Sequence, residues 1–314
     1  HEINMVACQM AHTFFRIPRK IARLRSEDFL NPIWRDLYNA DNMPIDLIIS
    51  PELEVAKSIE RQLKAPGAYD VVPFLNDEIE LLSLPIEENC PLIDTNLISI
   101  HELFQENSNK DKDLRASILG INRGESLFIP NKQETLKKGD LVYVLADKNH
   151  IKRTMNAFGF SEKPIKKIII VGGGNIGFNL AKDLENNNSD ISVSIIESNN
   201  ERAKYIADQL NTTLVLNGDG LDQIILDEAN IKDADMMLAL TNDETNIIIS
   251  AVARKNNCES LILVNNSEYN KLKDVLGISK VIDPRKITVS KILKHVHKGR
   301  IESVYSIGNN QAEL

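Results

Sequence analysis

Between residues 165 and 285 the apolar positions keep two alternating rhythms. Short runs rich in β-branched residues, Lys167 to Val171, Ile191 to Glu197, Thr213 to Asn217, Met236 to Leu240, Ser260 to Val264 and Lys280 to Ile282, predict strands. Their near-continuous apolar character predicts cover on both faces. Between them, Asn179 to Glu185, Glu201 to Leu210, Leu221 to Ala229 and Glu244 to Lys255 place apolar residues three and four apart, as helices with one buried stripe do. Parallel neighbours need a crossover long enough to hold a helix, so this alternation predicts an α/β fold with a doubly wound parallel sheet.

Residues 1 to 70 repeat the back half of that pattern. His1 to Asn4 align with Asp243 to Asn246 at a shift of 242, Glu27 to Phe29 with Ser267 to Tyr269 at 240, Pro51 with Pro284 at 233, and Gly67 with Gly299 at 232. The falling shift predicts extra loop residues in the first copy, mostly between Asn31 and Pro44. That copy lacks opening strands and a glycine loop, so the chain reads as a fragment of a longer one. Residues 73 to about 158 differ in character, with Glu-rich alternating runs, Pro85, Pro91 and Pro130, and Lys138-Gly139-Asp140 turning into Leu141 to Leu145. They predict a separate small α/β module, with Gln105 to Asp113 as a solvated loop and Phe158 to Pro164 as a linker.

The chemistry concentrates where Ile168 to Val171 runs into Gly172-Gly173-Gly174-Asn175-Ile176-Gly177 and then a helix. In this context Gly-x-Gly-x-x-Gly is a nucleotide-binding signature: Gly172 allows the turn off the strand, Gly174 lets a phosphate approach the backbone, and Gly177 lets the helix pack closely. The first helix amides then face the phosphate. Glu197, twenty residues after Gly177, is placed either to accept both ribose hydroxyls or to stand as a solvated strand-end carboxylate. In the first role it would repel a 2′-phosphate, which favours NAD(H) over NADP(H) and leaves ATP open. Asp219 is a ligand contact or a turn cap, and Thr241 and Asn242 are ligand contacts or a helix cap.

Composition narrows the rest. The 314 residues amount to roughly two domains. With 37 Lys+Arg against 45 Asp+Glu, the net charge of −8 argues against a general polyanion partner, so nucleic acid is not expected. Apolar content of 42% and charged content of 26% are those of a folded globular chain. Cys8, Cys90 and Cys258 are scattered and odd in number, which suggests a reducing compartment. No apolar run approaches the roughly 20 residues of a membrane span, and no export signal is visible, so a cytoplasmic protein is expected.

No catalytic residue and no metal site is expected. A hydride-transfer enzyme needs an acid or base near the nicotinamide, and no such constellation stands out. His295 and His297 lack partners at ligand spacing. Trp34 reads as a packing residue. The cluster Arg16, Arg19, Lys20, Arg23 and Arg25 is either charge on a solvated edge or, through Arg23 or Arg25, a phosphate contact.

Taken together, Gly172 to Gly177, Glu197, Gly218-Asp219, Thr241 to Asn246, Ile21 to Arg25 and the duplicated layout resemble the TrkA family, peripheral regulatory subunits of bacterial Trk potassium uptake. The resemblance implies Rossmann-like RCK domains flanking a TrkA-C domain. Residues 1–70 would be the rear of a first RCK domain, 73–158 the TrkA-C domain, 165–290 the second, NAD-binding RCK domain, and 291–314 a connector and the start of another TrkA-C domain. It implies NAD(H), or ATP or ADP, bound without turnover through Gly172 to Ile176, Glu197, Thr241 and Asn242, with Gly177 closing the loop, Asp219 beside it and Arg23 serving the first lobe. Further implications are homodimers or tetrameric rings, and an integral membrane potassium-translocating partner of the TrkH/TrkG kind, met from the cytoplasmic side. Two departures stand out: His1 where the second copy has Asp243, and extra asparagines among Asn186 to Asn188. The competing expectations are a dehydrogenase and a nucleotide sensor without a channel.

Overall fold

A computed structural model describes residues 2–24, 29, 32–39, 41–75, 78–105, 115–124, 126–160, 165–187, 190–266, 268–269, 278, 280–296, 306–307 and 312–313. It divides into two compact units, residues 1–57 with 167–292, and residues 58–166 with 293–314.

The chain opens with α1 (Glu2–Phe15), β1 (Ile21–Arg23), a 3₁₀ turn over Pro32–Leu37, β2 (Leu47–Ile49) and α2 (Pro51–Lys64). β1 and β2 pair in parallel, Ile21 with Leu47 and Arg23 with Ile49. Met5, Cys8, Ala22, Leu24 and Ile45 form a small core beneath them. Lys20 is buried, which demands a partner. Its Nζ meets Asp46 at 3.0 Å and donates to the Ile17 carbonyl at 3.2 Å, while its backbone amide donates to Asp46 at 2.6 Å. Partial burial alone would raise the Asp46 carboxyl, but Lys20 holds it below the ordinary value. One basic residue of the Arg16–Arg25 cluster is therefore neutralised locally, and Arg25 lies outside the described residues.

The second unit holds a five-stranded antiparallel sheet of β3 (Asp70–Phe74), β4 (Ile79–Pro85), β5 (Ala116–Arg123), β6 (Ser126–Phe128) and β7 (Leu141–Asp147), in the order β3-β4-β7-β5-β6. Its first strand begins at Asp70. Helices α3 (Leu97–Gln105) and α4 (Ile151–Ala157) contribute Ile100, Phe104, Ile151 and Met155 to one core with Leu82, Leu84, Val142 and Val144. Phe158, expected in a linker, is a fully buried member of that core, because α4 ends directly beneath it. Residues 106–113 of the expected loop and 161–164 of the expected linker lie outside the described residues, and Gln105 ends α3. The turn Lys138 to Asp140 is held by charge. The Arg123 guanidinium grips the buried Asp140 through Nε at 2.8 Å and Nη2 at 2.9 Å, and Glu134 through Nη1 at 2.9 Å. Its hydrogen bonds to Asp140 raise the already high pKa of Arg123.

Six parallel strands follow: β8 (Lys167–Val171), β9 (Ser192–Glu197), β10 (Leu214–Asn217), β11 (Met236–Ala239), β12 (Glu259–Leu263) and β13 (Lys280–Ile282). Their order, β10-β9-β8-β11-β12-β13, reverses between β8 and β11, the topological switch point at which ligands bind open sheets. The interleaved helices are α5 (Asn175–Asn187), α6 (Asn200–Gln209), α7 (Gln223–Glu228) and α8 (Asp243–Lys255), and α9 (Pro284–Val296) follows β13. Ile168 to Val171 and Met236 to Ala239 are buried throughout, as two-faced cover requires. At about 1.5–3 kcal/mol for each large aliphatic side chain removed from water, these central strands carry much of the unit's stability. α5 begins four residues before the expected Asn179, because Gly177 joins its first turn. A two-residue ladder, β14 (Ser306–Ile307) with β15 (Ala312–Glu313), ends the described chain.

The sequence repeat is also a repeat of geometry. α1, β1, β2 and α2 have the order and parallel pairing of α8, β12, β13 and α9, and Ile21 occupies the place of Leu261 in the pairing register. Pro51 and Pro284 each open the closing helix, where a missing N–H is harmless.

Candidate functional site

The site lies at the carboxyl edge of the six-stranded sheet. Gly172 has φ of 109°, a region that favours glycine, and a Cβ there would stand 2.8 Å from the Leu240 carbonyl oxygen. Its amide donates to the Ile196 carbonyl at 2.9 Å, so the loop leaves β8 still paired with β9. At Gly177 a Cβ would run into the Gly172 carbonyl oxygen, so only glycine lets α5 fold back this tightly. Gly174 differs: it is exposed, and no neighbouring atom lies within 4 Å of the place a Cβ would take. Asn175 and Ile176 follow as the first residues of α5, whose amides have no carbonyl one turn earlier to bond. The result is an open, bare backbone at the positive end of a 13-residue helix.

Gly173 is buried and gripped at both ends of its own backbone. Its N–H donates to Glu197 Oε2 at 2.8 Å, and its carbonyl accepts from Arg202 Nε at 2.9 Å. The other Glu197 oxygen accepts the Asn199 amide at 2.8 Å, which turns the chain into α6. Glu197 is thus more than a solvated carboxylate: it ties the end of β9 to the glycine loop. The Ser198 hydroxyl also donates to that second oxygen, Oε1, at 3.5 Å, so the lone pair left for a further donor is on Oε2.

The neighbouring clusters serve local structure first. Asp219 is exposed and accepts the Leu221 amide at 2.9 Å, the turn-capping role foreseen for it. Asn242 caps α8 by accepting the Thr245 amide at 2.9 Å. Thr241 donates through both its amide, at 2.9 Å, and its hydroxyl, at 2.7 Å, to Asn246 Oδ1. Its methyl stands 2.9 Å from where a Gly172 Cβ would be. Beside it, Asp243 accepts from both nitrogens of Asn265 and from the Asn266 amide. Partial burial works the other way, yet these hydrogen bonds hold the Asp243 carboxyl below its ordinary value.

The fold therefore gathers Gly172 to Gly177, Glu197, Asp219, Thr241 and Asn242 on one edge. Arg23 is not among them. It ends β1 in the separate two-stranded sheet, exposed, with its carbonyl accepting from Asn4 Nδ2 at 2.8 Å. Two residues were not foreseen as parts of the site. Arg202 sits at the third position of α6 and reaches back to the loop, a placement that the Asn199 cap would have disclosed. Asn246 is fully buried beside Ile249, Ser250 and Ala253, so a polar residue on the apolar stripe of α8 was the available signal.

Among the described residues there is no cluster of three His, Cys, Asp or Glu that could hold a metal ion. His297 lies outside them. Burial pushes the Cys258 thiol up to about 12, assisted by Asp235 and Glu259, so it is a poor nucleophile. No described helix is long and apolar enough to cross a membrane.

Fold and site define a doubly wound domain with an open glycine loop at its switch point, joined to a small α/β module. Residues 168–284 match the TrkA-N domain, and residues 81–159 match the TrkA-C domain. The chain is 41% identical over 315 residues to the Trk system potassium uptake protein TrkA of Azorhizobium caulinodans, covering 100% of this chain and 67% of that protein. Its counterpart in Halomonas elongata is 34% identical over 314 residues, covering 99% of this chain and 66% of that protein. The chain belongs to the TrkA family of Trk system potassium uptake proteins. It spans about two thirds of the length of these relatives. The GsuK channel bound to NAD shares the fold, with a TM-score of 0.60 and 18% identity over 92% of this chain and 48% of that one.

Proposed function

We propose that residues 167–282 bind an adenine nucleotide, NAD(H) in the first place and ATP or ADP in the second, with the phosphates over Gly174 and the first amides of α5. In this reading Glu197 accepts the ribose hydroxyls, and Asp219, Thr241 and Asn242 line the edge. The nucleotide is a ligand and not a substrate. Within a TrkA-family chain, this makes the protein the nucleotide-sensing regulatory subunit of a potassium uptake system. It assembles as a homodimer or homotetramer on the cytoplasmic face of the membrane and acts on an integral membrane potassium-translocating subunit of the TrkH/TrkG kind. In the same reading, residues 1–70 form the rear of a first RCK domain, 73–158 the TrkA-C domain, 165–290 the second RCK domain, and 291–314 the start of a further TrkA-C domain. Arg23 belongs to the first lobe's own nucleotide edge. Nucleotide exchange can move the partner only through different affinities for two arrangements of the lobes, because a ligand that binds both equally shifts nothing.

The observation that carries this reading is the open space at Gly174, in a loop whose other glycines are each enclosed by neighbouring atoms. The Cβ of a Gly174→Val variant meets no neighbouring atom, and its two methyl groups extend into that space. Calorimetric titration with NADH is expected to show loss of binding in this variant, with an unchanged melting temperature. Equal affinity in both proteins would remove the loop from the site.

A further inference from the structure

Arg202 holds a place that the functional reading above leaves unused. Its Nε is fixed on the Gly173 carbonyl at 2.9 Å. Its guanidinium carbon lies 5.4 Å from the centre of the Phe178 ring and 5.0 Å from that of Tyr205, and the two rings are themselves 5.9 Å apart. A guanidinium prefers aromatic faces at such distances, so this platform and the Gly173 bond together limit its rotamers. The two Nη groups have no hydrogen-bond partner among the described residues.

Glu197 grips the other backbone group of the same residue, its Oε2 on the Gly173 N–H. The carboxylate and the guanidinium therefore flank one residue, on two successive peptide units, yet they form no ion pair with each other. Resting on the reading of Glu197 as the ribose acceptor, a positive group with unfilled donors then stands beside the ribose hydroxyls. A carboxylate at that place repels a 2′-phosphate, whereas a nearby arginine accommodates one.

We propose that Arg202 is a specificity-determining residue of the nucleotide site, whose Nη groups offset the repulsion between Glu197 and a 2′-phosphate, so that 2′-phosphorylated dinucleotides bind with only a modest penalty. The guanidinium acts on the 2′ position alone. Ligands with a free 2′-hydroxyl gain little from it.

The test is the ratio of NADH to NADPH affinity in the whole chain, by titration at low salt, for wild type, Arg202→Met, Arg202→Lys and Glu197→Gln. Removing one charge-assisted contact is expected to widen the preference for NADH about tenfold in Arg202→Met. Arg202→Lys keeps the charge and stays nearer the wild-type ratio, and Glu197→Gln narrows it. A destabilised loop weakens both ligands equally and leaves the ratio alone. An unchanged ratio in Arg202→Met and Arg202→Lys, with NADH still bound, overturns the proposal while sparing the nucleotide site. Wild-type protein that binds neither ligand overturns both.

Discussion

The chain carries one design twice, and the two versions differ in how they use the same hydrogen bond. In the complete copy Asn246 Nδ2 donates to the Leu263 carbonyl at 2.9 Å, and in the partial copy Asn4 Nδ2 donates to the Arg23 carbonyl at 2.8 Å. Both bonds join the first turn of a helix to the last residue of the next strand. Around Asn246 the sheet closes on both sides, the side chain is fully buried, and its oxygen also holds Thr241 against the glycine loop. Asn4 is exposed, and Arg23 stands where the other copy has a buried leucine. A local motif thus persists wherever its residues recur. Its energetic weight depends on what is packed over it.

That difference can be broken most sharply at Asn246. Asn246→Ala strips two donors and two acceptors of their partner, at about 1–3 kcal/mol for each buried group left unpaired. Urea unfolding is expected to show a loss of about 3 kcal/mol, with nucleotide affinity falling too as Thr241 is released.

Acid provides a second separation. Glu185 in α5 accepts the amides of Asn211, Thr212 and Thr213 at 3.1, 2.8 and 2.6 Å. Partial burial opposes ionisation, but the bonds from Thr213 and these amides bring its carboxyl down to about 2. A carboxyl depressed in the folded state adds stability above its ordinary pKa near 4.5, and that stability is lost as pH falls toward 2. Stability of the complete copy should therefore decline between those values, and Glu185→Gln should flatten the decline by about 2 kcal/mol. Amide exchange followed against pH checks it. If the decline persists unaltered in the variant, another group carries it.

The smallest effect is expected at Asn4→Ala. An exposed hydrogen bond contributes about 0.5–1 kcal/mol, so the melting temperature should move by no more than a few degrees. A loss matching that of Asn246→Ala would show that the two copies are energetically equivalent after all.

Much of this was legible in the residues. Continuous apolar runs such as Ile168 to Val171 can be satisfied only in the middle of a covered parallel sheet, and a glycine triplet between strand and helix admits few conformations. The repeat was readable because Asn4 and Asn246, and Pro51 and Pro284, keep their spacing to the strands they serve. Phe158 was misread because a Phe-Gly-Phe stretch before a proline looks like a linker until α4 is seen to end beneath it. Arg202 went unnoticed because its target is a backbone carbonyl 29 positions earlier, and no side-chain pattern announces a main-chain acceptor.

The order of side chains along this chain determined the strands, the helices, the glycine turn and the duplication, since each rests on local sterics or on a period of two or 3.6. Only the tertiary structure decided that Glu197 and Arg202 take opposite ends of Gly173, that Asn246 bridges two strand ends, and that Gly174 alone among its neighbours faces open space. Those outcomes depend on which distant atoms the sheet brings within 3 Å, and neither composition nor periodicity contains that distance.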